Sequence, residues 1–158
     1  MEVNLLVVHN ISLPPGCYGG DEVERFFTNT LDCDTDPWFE EIRGVQVSAH
    51  LYVKRSGELL QFVNFADRAW HAGQSCYQGR AECNDFSIGL ELEGCDDDAY
   101  EDEQYQVLAG VVRALEAAYP GMTANNIVGH CDIAPGRKTD PGAAFDWGRL
   151  RALLMEEF

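Results

Sequence analysis

The stretch Phe86-Ser87-Ile88-Gly89-Leu90-Glu91-Leu92-Glu93 alternates strictly between apolar residues and polar or small ones. Side chains of an extended backbone point to alternate faces. Ile88, Leu90 and Leu92 therefore share one face, and Ser87, Gly89, Glu91 and Glu93 share the other. A strand with one fully apolar face needs a partner layer, and the chain supplies one. From about Asp98 to Tyr119, the residues Tyr105, Leu108, Val112, Leu115 and Tyr119 recur at helical spacing. Glu101, Asp102 and Glu103 fall in its first turn, where the helix dipole favours negative charge, and Gly121 follows as a stop.

The rest of the chain extends this pattern. Val3 to Val8 is a buried strand, broken by Ser12-Leu13-Pro14-Pro15-Gly16. Asp21 to Thr28 is a short helix with Val23, Phe26 and Phe27 on one side. Asp36-Pro37 starts another helical turn that ends near Gly44. Val47 to Lys54 and Glu58 to Asn64 flank Arg55-Ser56-Gly57 as a hairpin. The segment from Asp67 to Asp85 is a loop. Ile127-Val128 is a short strand leading into His130, and a last helix starting near Asp146 carries Leu150, Leu153 and Leu154. This order predicts an α/β (α+β) fold: a single mixed sheet flanked by helices, with residues 1–158 as one domain.

Charge and cysteine usage exclude several classes. The formal net charge is −16, which argues against a nucleic-acid partner or an anionic membrane surface. No apolar run approaches the roughly 20 residues needed to span a bilayer. The opening Met1-Glu2-Val3-Asn4 lacks the basic segment and cleavage site of a signal peptide. The six cysteines form no C-x-x-C pair. They are expected to be reduced thiols in a cytoplasmic protein.

Chemistry concentrates in His130-Cys131-Asp132-Ile133-Ala134-Pro135-Gly136-Arg137-Lys138-Thr139-Asp140-Pro141-Gly142. With His9 at the end of the first strand, His130 and Asp140 make a ligand set of two imidazoles and a carboxylate. Such a set suits a catalytic zinc that keeps one position open. Taken alone, each histidine is more often structural than a ligand, and the spacing has no compact H-E-x-x-H signature. Glu91 has small neighbours on its face, Ser87 and Gly89, and can take a proton from a metal-activated water. Lys138, two residues from Asp140, can stabilise an oxyanion or be a solvated loop lysine. Glu93 is expected on an exposed strand face, and His50 is expected to be structural. His71 is a candidate for the site, and Trp70 fits either a core or a sugar-stacking platform.

Taken in order, these segments resemble the AmpD branch of the zinc N-acetylmuramoyl-L-alanine amidases, relatives of the peptidoglycan recognition proteins and phage amidases. The matching segments are Leu5 to Gly16, Val47-Ser48-Ala49-His50, Arg68-Ala69-Trp70-His71-Ala72-Gly73, Tyr77-Gln78-Gly79-Arg80, Cys83 to Gly94, and His130 to Gly142. The resemblance implies one Zn²⁺ per chain on His9, His130 and Asp140, with Glu91 as the base and Lys138 as the oxyanion partner. Asn10, Trp70, His71, Arg68 and Arg80 are the candidate substrate contacts. The expected reaction is hydrolysis of the amide between the lactyl group of 1,6-anhydro-N-acetylmuramic acid and L-alanine, in cytoplasmic muropeptides, by a monomer. Gln46 and Glu82 stand where members of this branch often carry arginine, which bears on substrate preference. Arg68 and Arg80 are the alternative sources of positive charge.

Two other readings remain open at this level. One is a binding module that holds muropeptide without cutting it. The other is a thiol hydrolase using Cys131 or Cys83 with a histidine.

Overall fold

The computed structural model describes residues 1–156. β1 spans Leu5–Ile11 and α1 spans Glu22–Phe27; a 3-10 turn follows at Pro37–Ile42, started by the Asp36 carboxylate accepting from Trp38 N. β2 (Leu51–Val53) and β3 (Leu59–Gln61) form the expected hairpin, with Gly57 in the left-handed region at φ 87°. The segment expected to be loop holds a small hairpin of β4 (Cys76–Tyr77) and β5 (Arg80–Ala81). Gln78 and Gly79 both take positive φ there, the backbone geometry that two-residue hairpin turns require. β6 spans Ser87–Glu93, α2 spans Asp102–Ala118 and β7 spans Ile127–Gly129. A four-residue turn of helix, α3 (His130–Ile133), comes next, and α4 is Trp147–Met155.

The long helix starts at Asp102, four residues after the expected Asp98. Glu101 caps it, and the Gln104 side chain returns to accept from Glu101 N at 3.0 Å. Tyr100, just before the cap, is committed to the core.

Five strands make one sheet in the order β3-β2-β6-β1-β7. β1, β2, β6 and β7 run parallel, and only β3 is antiparallel. The mixed sheet flanked by helices matches the expectation. In the register of β1 with β6, Leu5, Val7 and His9 lie opposite Ser87, Gly89 and Glu91. Those residues therefore share a face. The other face carries Leu6, Val8, Ile88, Leu90 and Leu92, which pack with Leu108, Val112 and Leu115 of α2. The first face is covered by Phe26, Phe27, Phe39 and Tyr52 at one end and by Phe86, Cys83 and Ile133 at the other. Between these clusters the polar residues of β1 and β6 meet the C-terminal ends of the parallel strands. That is where open α/β sheets place their ligands.

Coverage of both faces corrects one expectation. Glu93 is buried, with 3% of its surface exposed, because β6 is a central strand. Its Oε2 accepts from Gly19 N and its Oε1 from Arg55 N, both at 2.9 Å, so one carboxylate ties two loops to the sheet. Replacing Glu93 with alanine leaves two backbone N–H groups without an acceptor. It is expected to cost roughly 2–4 kcal/mol of stability. A urea unfolding midpoint equal to that of the parent would show that water replaces the carboxylate.

Candidate functional site

Parallel pairing of β1 with β7 sets Val8 opposite Gly129, so the next residues, His9 and His130, emerge side by side. Asp140 reaches them from the following loop, which folds back on α3. Cys131 N donates to Asp140 O at 3.0 Å, and Lys138 N donates to Ala134 O at 3.0 Å. The Nδ1 atoms of the two histidines are 3.0 Å apart. The Asp140 Oδ2 atom is 3.1 Å from that of His9 and 3.2 Å from that of His130. Residues 121 and 131 positions apart in sequence thus meet in one triangle.

The chemistry of this donor set decides what it can hold. His130 Nε2 faces the carbonyl of Ala72 at 2.9 Å, so it must carry the proton and leave its Nδ1 lone pair in the triangle. Burial pushes the His9 imidazole below its ordinary range, with Asp140 returning part of the shift. Two imidazoles and a carboxylate aimed at one point are a cation site, and all three donor atoms lie within 4.8 Å of one another. His₂-carboxylate donors suit zinc.

Glu91 stands next to this triangle, in register with His9. Its Oε1 is 4.0 Å from His9 Nδ1, and its Oε2 is buried without a hydrogen-bond partner among the described residues. Burial pushes the Glu91 carboxyl well above its ordinary range. Asp140 adds to that effect, and the positive charge of Lys138 opposes it. Lys138 is exposed on the cleft wall. A carboxyl with a raised affinity for protons beside a cation site and a fixed ammonium can both accept and donate a proton.

The cleft above these groups encloses about 940 Å³. Trp70 stands on its rim with 55% of its surface exposed, and Gln46 lines the same side. Asn10 lines it too, with its Nδ2 donating to Asp96 Oδ1 at 2.8 Å and to Pro141 O at 3.3 Å. The Thr139 hydroxyl also donates to Asp96, and the Tyr100 hydroxyl donates to Pro141 O at 2.7 Å. Asp96 thus clamps the loop that carries Asp140. Sequence reading missed it because Asp96-Asp97-Asp98 has the composition of a solvated acidic turn. Arg137 was missed as well. Its Nη2 donates to Ala72 O at 2.7 Å and to Gln74 O at 2.8 Å, so it shares the Ala72 carbonyl with His130.

His71 lines the cleft as expected, whereas Arg80 and Arg68 lie off it. Arg80 does not line the cleft; its guanidinium lies 4.0 Å over the Phe86 ring. Arg68 lines a side depression that also includes Trp70 and Gln46, and its charge is already met by Asp85 at 2.7 Å and Glu82 at 3.5 Å. Both ring nitrogens of His71 are engaged within the protein, by His9 at 2.9 Å and by the Ser87 hydroxyl at 3.1 Å. His50 is structural, as expected: its Nδ1 accepts from Gly89 N and its Nε2 donates to Asp67 O. The thiol reading loses its basis. Neither Cys83 nor Cys131 lines the cleft, and burial pushes both thiols up, away from the thiolate form.

Comparison with known proteins gives a consistent picture. The sequence profile of the family described as N-acetylmuramoyl-L-alanine amidase matches residues 1–143. The 1,6-anhydro-N-acetylmuramyl-L-alanine amidase AmpD of Salmonella typhimurium (strain SL1344) is 61% identical over 151 residues, covering 96% of this chain and 80% of the relative. A crystal structure of a selenomethionine derivative of AmpD superposes with a TM-score of 0.94 at 58% identity, covering 98% of this chain and 86% of that one. The amidase AmiD from E. coli, solved with anhydro-N-acetylmuramic acid-L-Ala-D-γ-Glu-L-Lys, superposes with a TM-score of 0.68 at 30% identity. That match covers 96% of this chain and 57% of the other.

Proposed function

This chain belongs to the N-acetylmuramoyl-L-alanine amidase family, and we propose that it hydrolyses the amide between the lactyl group of 1,6-anhydro-N-acetylmuramic acid and L-alanine, using one zinc ion per chain held by His9, His130 and Asp140. The observation that carries this reading is the convergence of three electron-pair donors beside a buried carboxyl with an oxygen that no described residue engages. When bound there, zinc would polarise the scissile carbonyl and lower the pKa of water toward about 7.

The chain's own residues supply the rest. Glu91 takes a proton from the attacking water at Oε2, which no described residue engages, and later delivers it to the L-alanine nitrogen as that bond breaks. Lys138 holds the negative charge that develops on the carbonyl oxygen. Trp70 offers an exposed ring at the rim on which a sugar face can stack, and Asn10 is oriented by Asp96 toward the cleft. The ion pairs of Arg68 reduce the charge it can offer a substrate. A reducing cytoplasmic setting suits six cysteines that are all free thiols.

Incubation with an anhydro-muropeptide and with its non-anhydro counterpart, read by mass spectrometry, tests this. The expected products are the free sugar acid and a peptide beginning at L-alanine. Turnover should stop on treatment with a chelator, return on addition of zinc, and survive thiol alkylation. Muropeptide that binds but stays whole would mean a binding module. Turnover indifferent to chelator would remove the metal from the reaction.

A further inference from the structure

We propose that His71 and Ser87 are positioning residues that lock the tautomer and ring angle of His9, and so set how tightly the metal centre holds its ion. The proposal rests on the metal reading above and concerns residues that need not touch substrate.

The Cys83 carbonyl can only accept, and the Ser87 hydroxyl lies 2.5 Å from it, so that hydroxyl donates there. Its proton is therefore committed, and toward His71 the Ser87 oxygen can only accept. His71 Nε2, 3.1 Å away, must then carry the ring proton. In a neutral imidazole this leaves a lone pair on Nδ1, which faces His9 Nε2 at 2.9 Å. Two lone pairs cannot pair, so His9 Nε2 carries a proton. His9 Nδ1 is left with its lone pair directed at Asp140 and His130. Four groups in series thus have a single consistent direction, from His9 down to a backbone carbonyl. The far end of the series decides which nitrogen of His9 is free to bind a cation.

The surroundings of His71 hold it in this one position. Asn84 Oδ1 accepts from His71 N at 3.1 Å and from Ala72 N at 2.8 Å, which pins the backbone. The His71 ring stands edge-on to His9, at 86° with centroids 5.0 Å apart. Below it lies Gly89, where a Cβ would overlap the ring atoms of His71. This explains the order of small and polar residues on one face of β6. Ser87 anchors the chain, Gly89 makes room for the ring, and Glu91 faces the cation site. A ring that only filled space would need neither Ser87 nor a defined proton.

Zinc affinity, measured by competition with a chelating dye, tests the proposal alongside Asp140→Ala as the control for the metal reading. His71→Leu should weaken zinc binding roughly 10–100-fold. His71→Asn puts a carbonyl oxygen where Nδ1 was and should restore most of that loss. Ser87→Ala should weaken binding in the same direction by less. Long-range ¹⁵N correlation spectra of the zinc-loaded parent should show His71 as the Nε2–H tautomer. Parent affinity in both His71→Leu and Ser87→Ala would overturn the proposal, and so would equal losses in His71→Leu and His71→Asn. An Nδ1–H tautomer at His71 would overturn it without any substitution, so misfolded variants leave it falsifiable. If Asp140→Ala binds zinc as the parent does, the metal reading fails instead.

Discussion

Replacing Glu91 with alanine is expected to lower kcat by roughly 10²–10⁴ while zinc content stays at the parent level. The two halves of this result depend on different features. The catalytic loss follows from position: Glu91 is the carboxyl beside the donor triangle with a buried oxygen that no described residue engages. The retained zinc follows from the triangle itself, which is complete without Glu91. Stability should not suffer, because an unpartnered buried carboxyl is a cost to the fold rather than a support. Glu91→Gln should lose as much activity, since an amide of the same shape cannot take a proton. The pH profile supplies a further check. Burial raises the Glu91 carboxyl, so its basic form is lost as pH falls through that raised range. The acid limb of kcat/KM should therefore belong to Glu91 and vanish with it. Near-parent turnover in both variants would take Glu91 out of the mechanism.

Asp140→Ala should abolish stoichiometric zinc binding and reduce kcat/KM by about 10⁴-fold or more. A catalytic metal contributes several kcal/mol of charge stabilisation, and each ~1.4 kcal/mol is a factor of ten in rate. The fold should persist, because the loop bonds through backbone atoms. The Asp140 carbonyl still accepts from Cys131 N, and Pro141 O still accepts from Tyr100. Metal analysis after dialysis, paired with circular dichroism, separates loss of the ion from loss of structure. One zinc retained per chain at parent affinity would remove Asp140 from the ligand set.

The central sheet was legible because its signals are local. Alternation from Ser87 to Glu93 and the helical spacing of Tyr105, Leu108, Val112 and Leu115 each specify an element without reference to the rest of the chain. The cation site was legible for a different reason: the residue types and their order resemble a known family. The misses are cases where tertiary context decides. Glu93 alternates like a solvent-facing residue, yet loops at Gly19 and Arg55 close over it. Arg80 carries the right charge, but the turn at Gln78-Gly79 sends it onto Phe86. The strand Ile127-Val128 leads into His130, but nothing local marks that His130 opens a turn of helix, where the Asp132 carboxylate returns to accept from Gly129 N at 2.8 Å. The direction of the His71 chain depends on the Cys83 carbonyl, which every residue has and no sequence pattern marks.

The floor and the rim of the cleft come from different kinds of structure. His9 and Glu91 sit near the C-terminal ends of parallel strands and His130 directly follows another, whereas Gln46 and Trp70 belong to connecting segments outside the main sheet. Change at the rim leaves the strand register untouched. New preferences for sugar or peptide can therefore arise by drift in those connections while bond breaking stays the same. The acceptable cargo and the reaction performed on it are separately adjustable.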